Sequence, residues 1–152
     1  MSDHYAEVEW TNNTHSIQTD TYSRDHTVTL ENGQIIENSA APAYLGNAET
    51  SNPETLLLAA LASCHMLTFL AVSSKRGYQV LHYKDKAKGT LGKNVNGRMA
   101  ITHCVLNPEI SFSSEKKPTS DELEKLHDSA HRNCFIANSL NMHVEIIPSD
   151  DT

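Results

Sequence analysis

The amino-acid sequence predicts an α+β fold in which antiparallel sheets pack around one long, buried helix. Three observations support this prediction. Short stretches rich in strand-forming residues dominate the first 45 residues and recur after residue 80. A nearly unbroken apolar run at residues 56–72 separates them, and a polar, helix-forming stretch precedes the last strand. Because the strands are grouped rather than alternating singly with helices, the order favours α+β over a parallel α/β sheet.

Residues 5–37 are predicted to form the N-terminal strands. The segments YAEVEW, HSIQTD and HTVTL are short and rich in strand formers. Asn32-Gly33 stands between two further β-like runs, and this dipeptide favours the tight turn of a β-hairpin. The small residues that follow, together with Pro42 and Gly46, indicate a loop.

The central helix is predicted over residues 52–76. Asn52 suits the N-cap, Pro53 the first helical position and Glu54 the positive end of the helix dipole. A basic last turn followed by Gly77 marks the C-terminal end. The helix is apolar nearly all round, so we expect burial on most sides. The apolar run is short and carries polar residues, which argues against a membrane span.

Two long strands are predicted within residues 80–112, at 80–91 and 98–112, with the turn-rich LGKNVNGR segment between them. A second helix is expected over residues 119–136, where Thr119 and Glu122 match a capping box. A closing strand is expected over residues 141–147. Since no repeat or low-complexity segment divides the chain, residues 1–152 are predicted to form a single domain.

Charge and cysteine content exclude several classes of protein. The net charge of −7 argues against nucleic acid or an anionic membrane surface as a partner, because phosphate groups are bound by clustered Lys and Arg. Three cysteines, an odd number, do not suit the disulfide framework of a small secreted domain. The first ten residues show neither the basic nor the apolar region of a signal peptide. Together these features predict a cytoplasmic protein.

Two cysteines are candidates for chemistry. Cys64 lies midway along the apolar helix, where it is either a small buried hydrophobe or a nucleophile that needs a stabilised thiolate. His65 is a weak candidate for activating it, because adjacent helical residues do not face each other. Cys134 near the end of the second helix could pair with Cys64 if their Cα atoms lie within about 7 Å. Cys104 in MAITHCVL is predicted to be a packing residue.

Other readings of these residues stay open at this point. His127, His131 and Cys134 share one helical face by their spacing of four and three, and Cys64 could complete a four-ligand metal site. The same two histidines could equally be exposed polar residues. Arg24 and the neighbouring Asp25 could form a solvated ion pair without any catalytic role. The helix dipole alone explains an acidic residue at the position of Glu54. A Cys-His-acid triad for acyl transfer has no sequence signature here.

The segment NPETLLLAALASC, followed some 70 positions later by AHRNCFIANSL, resembles the OsmC/Ohr family of osmotically inducible and organic-hydroperoxide-resistance proteins. Glu54 and Cys64 show the family's spacing of ten, and the similarity extends over roughly residues 5–147. The resemblance implies an OsmC-like fold that forms an intertwined homodimer. It also implies a thiol peroxidase in which Cys64 attacks an organic hydroperoxide and Cys134 resolves the sulfenic acid as a disulfide.

The resemblance assigns two further site residues. SRDH is similar to the GRDG segment of the Ohr branch, which places Arg24 as the cation that stabilises the thiolate, held by Glu54. The expected partners are an alkyl or lipid hydroperoxide and a dithiol reductant, lipoyl in Ohr-type members, with no cofactor and no metal. Phe135 stands where the family usually has proline, which suggests a distinct branch. A non-catalytic small-molecule or lipid binding protein on this fold is the alternative function.

Overall fold

The structure, a computed structural model, describes residues 1–11 and 22–149. The chain divides into two compact units, with the boundary between Leu56 and Leu57. The expectation of a single domain over residues 1–152 stays a prediction.

The first unit contains a three-stranded antiparallel sheet. Its strands are β1 (Ala6–Glu9), β2 (His26–Leu30) and β3 (Ile35–Asn38), and β2 lies in the middle. The predicted hairpin turn between β2 and β3 is confirmed, because Gly33 adopts a positive φ of 83° that few other residues tolerate. The strand predicted within HSIQTD, residues 15–20, lies outside the described residues.

The central helix, α1 (Pro53–Lys75), agrees closely with the predicted 52–76. Asn52 is the N-cap, since its Oδ1 accepts a hydrogen bond of 2.9 Å from the Thr55 backbone N–H. Gly77 follows the last turn with a φ of 76°, the left-handed conformation in which helices often end.

Burial of α1 within the single chain is confined to one stripe. Leu61, His65, Phe69 and Ser73 recur every four residues and are fully buried, whereas Leu67 on another face is 60% exposed. By length and composition alone α1 could also cross a membrane, but the core helices of soluble proteins have the same length and composition. Within the single chain, burial of α1 is thus narrower than the burial on most sides that the sequence predicts.

The prediction of two long strands within residues 80–112 is wrong, because each of them is divided into two shorter strands. The observed strands are β4 (Val80–Asp85), β5 (Lys88–Lys93), β6 (Met99–Leu106) and β7 (Pro108–Phe112). β4 pairs with β7 in one sheet, and β5 pairs with β6 in another. The chain passes from one sheet to the other after β4 and returns after β6. Where these two crossings meet, Asp85 Oδ1 accepts a 2.8 Å hydrogen bond from the Asn107 backbone N–H.

The second predicted helix, residues 119–136, is also interrupted. It consists of α2 (Ser120–Asn133), which starts with the expected Thr119–Glu122 capping box, and the short α3 (Phe135–Asn138). Cys134 separates them in an extended conformation, with φ −76° and ψ 112°. The closing strand β8 (His143–Ile146) is confirmed and pairs with β6 in parallel, whereas the other strand pairs in the described part of the chain are antiparallel.

The second unit has two apolar clusters, and α1 contributes to both. Phe69 packs in one cluster with β4, β7 and α2 residues, and Leu61 packs in the other. The second cluster also contains Cys104, Leu106 and Cys134, with Cys64 at its edge. The clusters fix α1 against the strands, and the Leu61 cluster encloses the thiols.

Candidate active site

The structure brings Cys64 and Cys134 together. Cys64 lies midway along α1 and is partly buried, while Cys134 is fully buried where α2 gives way to α3. Both thiols are free, and both belong to the Leu61 cluster, with Cys134 in its buried part and Cys64 packed against it. The break between α2 and α3 positions Cys134, since its sulfur caps α3 by accepting the Ala137 backbone N–H at 3.4 Å.

The two thiols differ in their surroundings. The pKa of Cys134 is raised to about 11, mainly by burial and next by its interaction with the Cys64 thiol. The Ala137 N–H opposes this shift without cancelling it. Cys134 is therefore a protonated thiol at neutral pH. The more accessible Cys64 is better placed to meet a reactant first.

Cys104 is confirmed as a packing residue. It lies on β6, is fully buried in the Leu61 cluster and has no disulfide partner. Burial raises its pKa, and the negative charge of Asp85 adds to the shift. Both effects keep Cys104 a thiol, the less reactive form.

Glu54 and Arg24 both belong to the first unit. Glu54 lies in the first turn of α1, and its buried Oε2 accepts no hydrogen bond from the described residues. Arg24 precedes β2 in the first unit. Its guanidinium lies 4.3 Å from the centre of the Tyr22 ring, and its Nη1 donates a 3.2 Å hydrogen bond to the Tyr22 carbonyl.

Arg24 also lines a cavity of about 490 Å³ in the first unit. Trp10, Tyr22 and His26 contribute to the same wall, and the lining is mostly apolar. Cys64 belongs to the second unit. The role of Arg24 as the cation that stabilises the thiolate therefore stays a prediction.

A buried pair of histidines joins α1 to α2, and only the tertiary structure brings the two rings together. His65 Nε2 and His127 Nδ1 are 3.1 Å apart, and the two rings are nearly parallel with their centres 5.4 Å apart. His65 is fully buried and His127 is 3% exposed. Phe69 covers the His127 ring at a centre-to-centre distance of 4.5 Å. The expectation that His65 bonds to something other than Cys64 is confirmed.

The pKa values of both histidines are lowered to about 4. Burial is the main cause for each; His131 adds a repulsive contribution at His65, and His65 adds one at His127. Both rings are therefore neutral at pH 7, and the hydrogen bond joins one protonated and one bare nitrogen. A neutral His65 supplies no positive charge to the neighbouring thiol.

The metal alternative gains no support from this geometry. Within residues 1–11 and 22–149, no three His, Cys, Asp or Glu side chains are grouped so that they could hold one ion.

An open groove of about 670 Å³ runs along α1, and its lining combines apolar, polar and cationic side chains. Leu67, Thr68 and Ala71 line it from the helix, and Phe135, the neighbour of Cys134, lines it from the other side. Leu67 and Thr68 follow Cys64 by three and four positions, so they lie on the same face of α1 as Cys64. Phe135 is 81% exposed, which leaves a large apolar surface beside Cys134.

Comparison with known proteins adds a family and several similar structures. A model of the OsmC-like protein family matches residues 46–149. A solved OsmC-like protein of unknown function from Vibrio cholerae is 42% identical, with a TM-score of 0.92, over 98% of this chain and all of that one. The uncharacterized protein YmaD of Bacillus subtilis is 23% identical over 150 residues, which is 96% of this chain and 93% of YmaD.

Two more distant structures share the fold. An organic hydroperoxide resistance protein from Elizabethkingia anophelis is 21% identical, with a TM-score of 0.77, and the match covers 99% of this chain and 98% of that one. The organic hydroperoxide resistance protein OhrB of Bacillus subtilis is 16% identical, with a TM-score of 0.71, and the match covers 97% and 98% of the two chains. The α+β fold expected from the sequence is confirmed.

Proposed function

Because the chain belongs to the OsmC-like protein family, we propose that it is a thiol-dependent peroxidase that reduces organic hydroperoxides. The placement of the Cys64 and Cys134 thiols at the same apolar cluster is the observation that carries this proposal. A partly accessible thiol beside a fully buried one is the arrangement that a peroxidatic and a resolving cysteine require.

The proposed reaction has two steps on the protein. The Cys64 thiolate attacks the terminal peroxide oxygen, the O–O bond breaks, and the alkoxide takes up a proton and leaves as an alcohol. Cys64 is then a sulfenic acid. The Cys134 sulfur attacks the Cys64 sulfur, the sulfenic oxygen leaves as water with the Cys134 proton, and a disulfide forms. An external dithiol, in our proposal a lipoyl group, returns both cysteines to thiols and becomes a disulfide itself.

The surroundings of Cys64 favour an alkyl or lipid hydroperoxide over hydrogen peroxide. Leu67, Ala71 and Phe135 give the groove along α1 an apolar part that can cover an alkyl chain, and cationic and polar side chains line the rest of it. In this proposal Arg24 stabilises the Cys64 thiolate and Glu54 orients Arg24. An opposite charge would offset the cost of burying a thiolate in this cluster.

Assembly and location complete the proposal. Leu67 at 60% and Phe135 at 81% exposure form an apolar surface that a second copy of the chain would cover in a homodimer. The free cysteines suit the reducing cytoplasm. Sedimentation of the reduced protein tests the first point, since a monomer at micromolar concentration would contradict the homodimer.

Thiol counting during titration with cumene hydroperoxide, followed by peptide mapping, tests the function. We expect two thiols to disappear per chain, with a disulfide between Cys64 and Cys134 and a free Cys104. The Cys104→Ala variant is the matched control and should behave identically. If all thiols persist in excess peroxide, the proposed activity is wrong.

A non-catalytic binding protein is the second candidate, and the groove of about 670 Å³ favours it. This alternative predicts inert thiols together with saturable binding of a small apolar ligand. Isothermal titration with a fatty acid, performed on the Cys64→Ser variant, measures the binding separately from any redox chemistry.

A further inference from the structure

The histidine pair joins the two helices that carry the thiols. His65 follows Cys64 directly on α1, and His127 precedes Cys134 by seven residues on α2. Cys134 is the residue at which α2 ends, so His127 stands about two helical turns before the thiol. The same two helices therefore meet through a pair of imidazoles and, at the end of α2, through a pair of thiols.

The bond between the imidazoles is directional, whereas the packing around it is not. Within the described residues, it is the only hydrogen bond between a side chain of α1 and a side chain of α2. Phe69 of α1 also packs against the His127 ring and shares a cluster with Leu126 and Ala130 of α2, and apolar contacts of this kind tolerate small shifts. A buried hydrogen bond at 3.1 Å fixes both a distance and an angle.

The neutral state of the rings excludes the obvious electrostatic role. With both imidazoles uncharged at pH 7, the pair cannot attract a thiolate or repel a proton from one. Each ring also leaves one buried nitrogen, His65 Nδ1 and His127 Nε2, without a hydrogen-bond partner among the described residues. Burying a nitrogen without a hydrogen-bond partner lowers the stability of the fold. The histidine pair therefore needs an explanation other than stability.

We propose that the His65–His127 hydrogen bond is a positioning device that sets the effective concentration of the Cys134 thiol at Cys64. A disulfide requires a sulfur–sulfur distance near 2 Å and a narrow range of Cα separations, so a small slip between the helices disfavours it. This inference rests on the proposed redox pair. It adds His65 and His127 as positioning residues that touch neither the peroxide nor the reductant.

The equilibrium with dithiothreitol measures this quantity without peroxide. In that reaction, the two thiols and oxidised dithiothreitol give the protein disulfide and reduced dithiothreitol, with two electrons and two protons transferred. The ratio of the species, read by alkylation and mass spectrometry, gives the effective concentration of one thiol at the other. All proteins carry Cys104→Ala so that only the two relevant thiols react.

The test variant replaces both rings with apolar side chains, His65→Leu with His127→Phe. Removing both partners together leaves no newly unpaired polar group, so the fold and its stability should be kept. We expect the effective concentration to fall about fivefold or more. The His127→Asn variant retains a polar atom near the Nδ1 position and should return the value to within about twofold of the parent.

A variant with unchanged effective concentration would overturn the proposal, as would a loss that His127→Asn does not restore. The rate of Cys64 alkylation in a Cys134→Ser background should be the same with and without the histidine pair. If this alkylation rate falls as much as the effective concentration does, the histidine pair acts on Cys64 itself, and the positioning role is refuted. Failure of the parent protein to form any Cys64–Cys134 disulfide would instead contradict the proposed function.

Discussion

Acidification should destabilise this protein through the buried histidine pair. In the unfolded chain each ring takes up a proton as the pH falls through its ordinary pKa of 6.5, whereas the folded protein resists protonation until about pH 4. The unfolded state therefore binds more protons within that window. Stability is constant above pH 6.5 with respect to these groups, decreases between pH 6.5 and 4, and levels off below.

The magnitude follows from the two pKa values. The difference between 6.5 and about 4, at 1.36 kcal/mol for each pKa unit, is roughly 3 kcal/mol per ring. Both rings are buried, so solvent does not screen this contribution away. Because domains of this kind are stable by about 5–15 kcal/mol, losing both contributions would remove a large part of the total.

Urea denaturation at pH 7, 6 and 5 checks this prediction. Between pH 6.5 and 5 the two rings together should lower the free energy of unfolding by up to roughly 4 kcal/mol. The His65→Leu, His127→Phe double variant is the control, because it lacks both rings and retains the other seven histidines. If parent and double variant lose stability equally over this range, the histidines are not buried as neutral groups and the reasoning fails.

Three further predictions concern the thiols and their surroundings. Cys64→Ser should abolish peroxide turnover. Cys134→Ser should consume one equivalent of cumene hydroperoxide and leave a sulfenic acid that dimedone traps. Repeated turnover by the Cys134→Ser variant would contradict the resolving role of Cys134. Arg24→Ala should slow alkylation of Cys64 by iodoacetamide at pH 7 about tenfold, the effect of an opposite charge within a few ångströms, and an unchanged rate would indicate another cation. Leu61→Ala should reduce the free energy of unfolding, measured in urea, by about 2–5 kcal/mol, because it opens a cavity in the buried cluster around the thiols. A loss below about 1 kcal/mol would mean that the cluster collapses to fill the cavity.

Local signals in the sequence predicted α1 and α2 well. Asn52, Gly77 and the Thr119–Glu122 capping box act through bonds to their own helix ends, so no distant contact is needed to place them. The Asn32-Gly33 turn is similar, since Gly33 supplies the positive φ that the hairpin requires.

The breaks within predicted elements were not visible in the same signals. Residues 80–91 are uniformly strand-like, but the pairing of β4 with β7 and of β5 with β6 divides them between two sheets. Helix-forming residues continue past Asn133, yet the chain turns at Cys134 and starts α3. Non-local pairing and packing override local propensity at both places.

The sequence by itself determined the fold class, the start of each long helix, the end of α1 and the resemblance to a family, because caps, periodicity and motif spacing are short-range properties. Only the tertiary structure decided which side chains meet. It placed Cys134 against Cys64, kept Cys104 in the packing, and joined His65 to a histidine 62 positions away. A pKa and a hydrogen bond depend on burial and on partners from other elements, and these are fixed only when the helices pack.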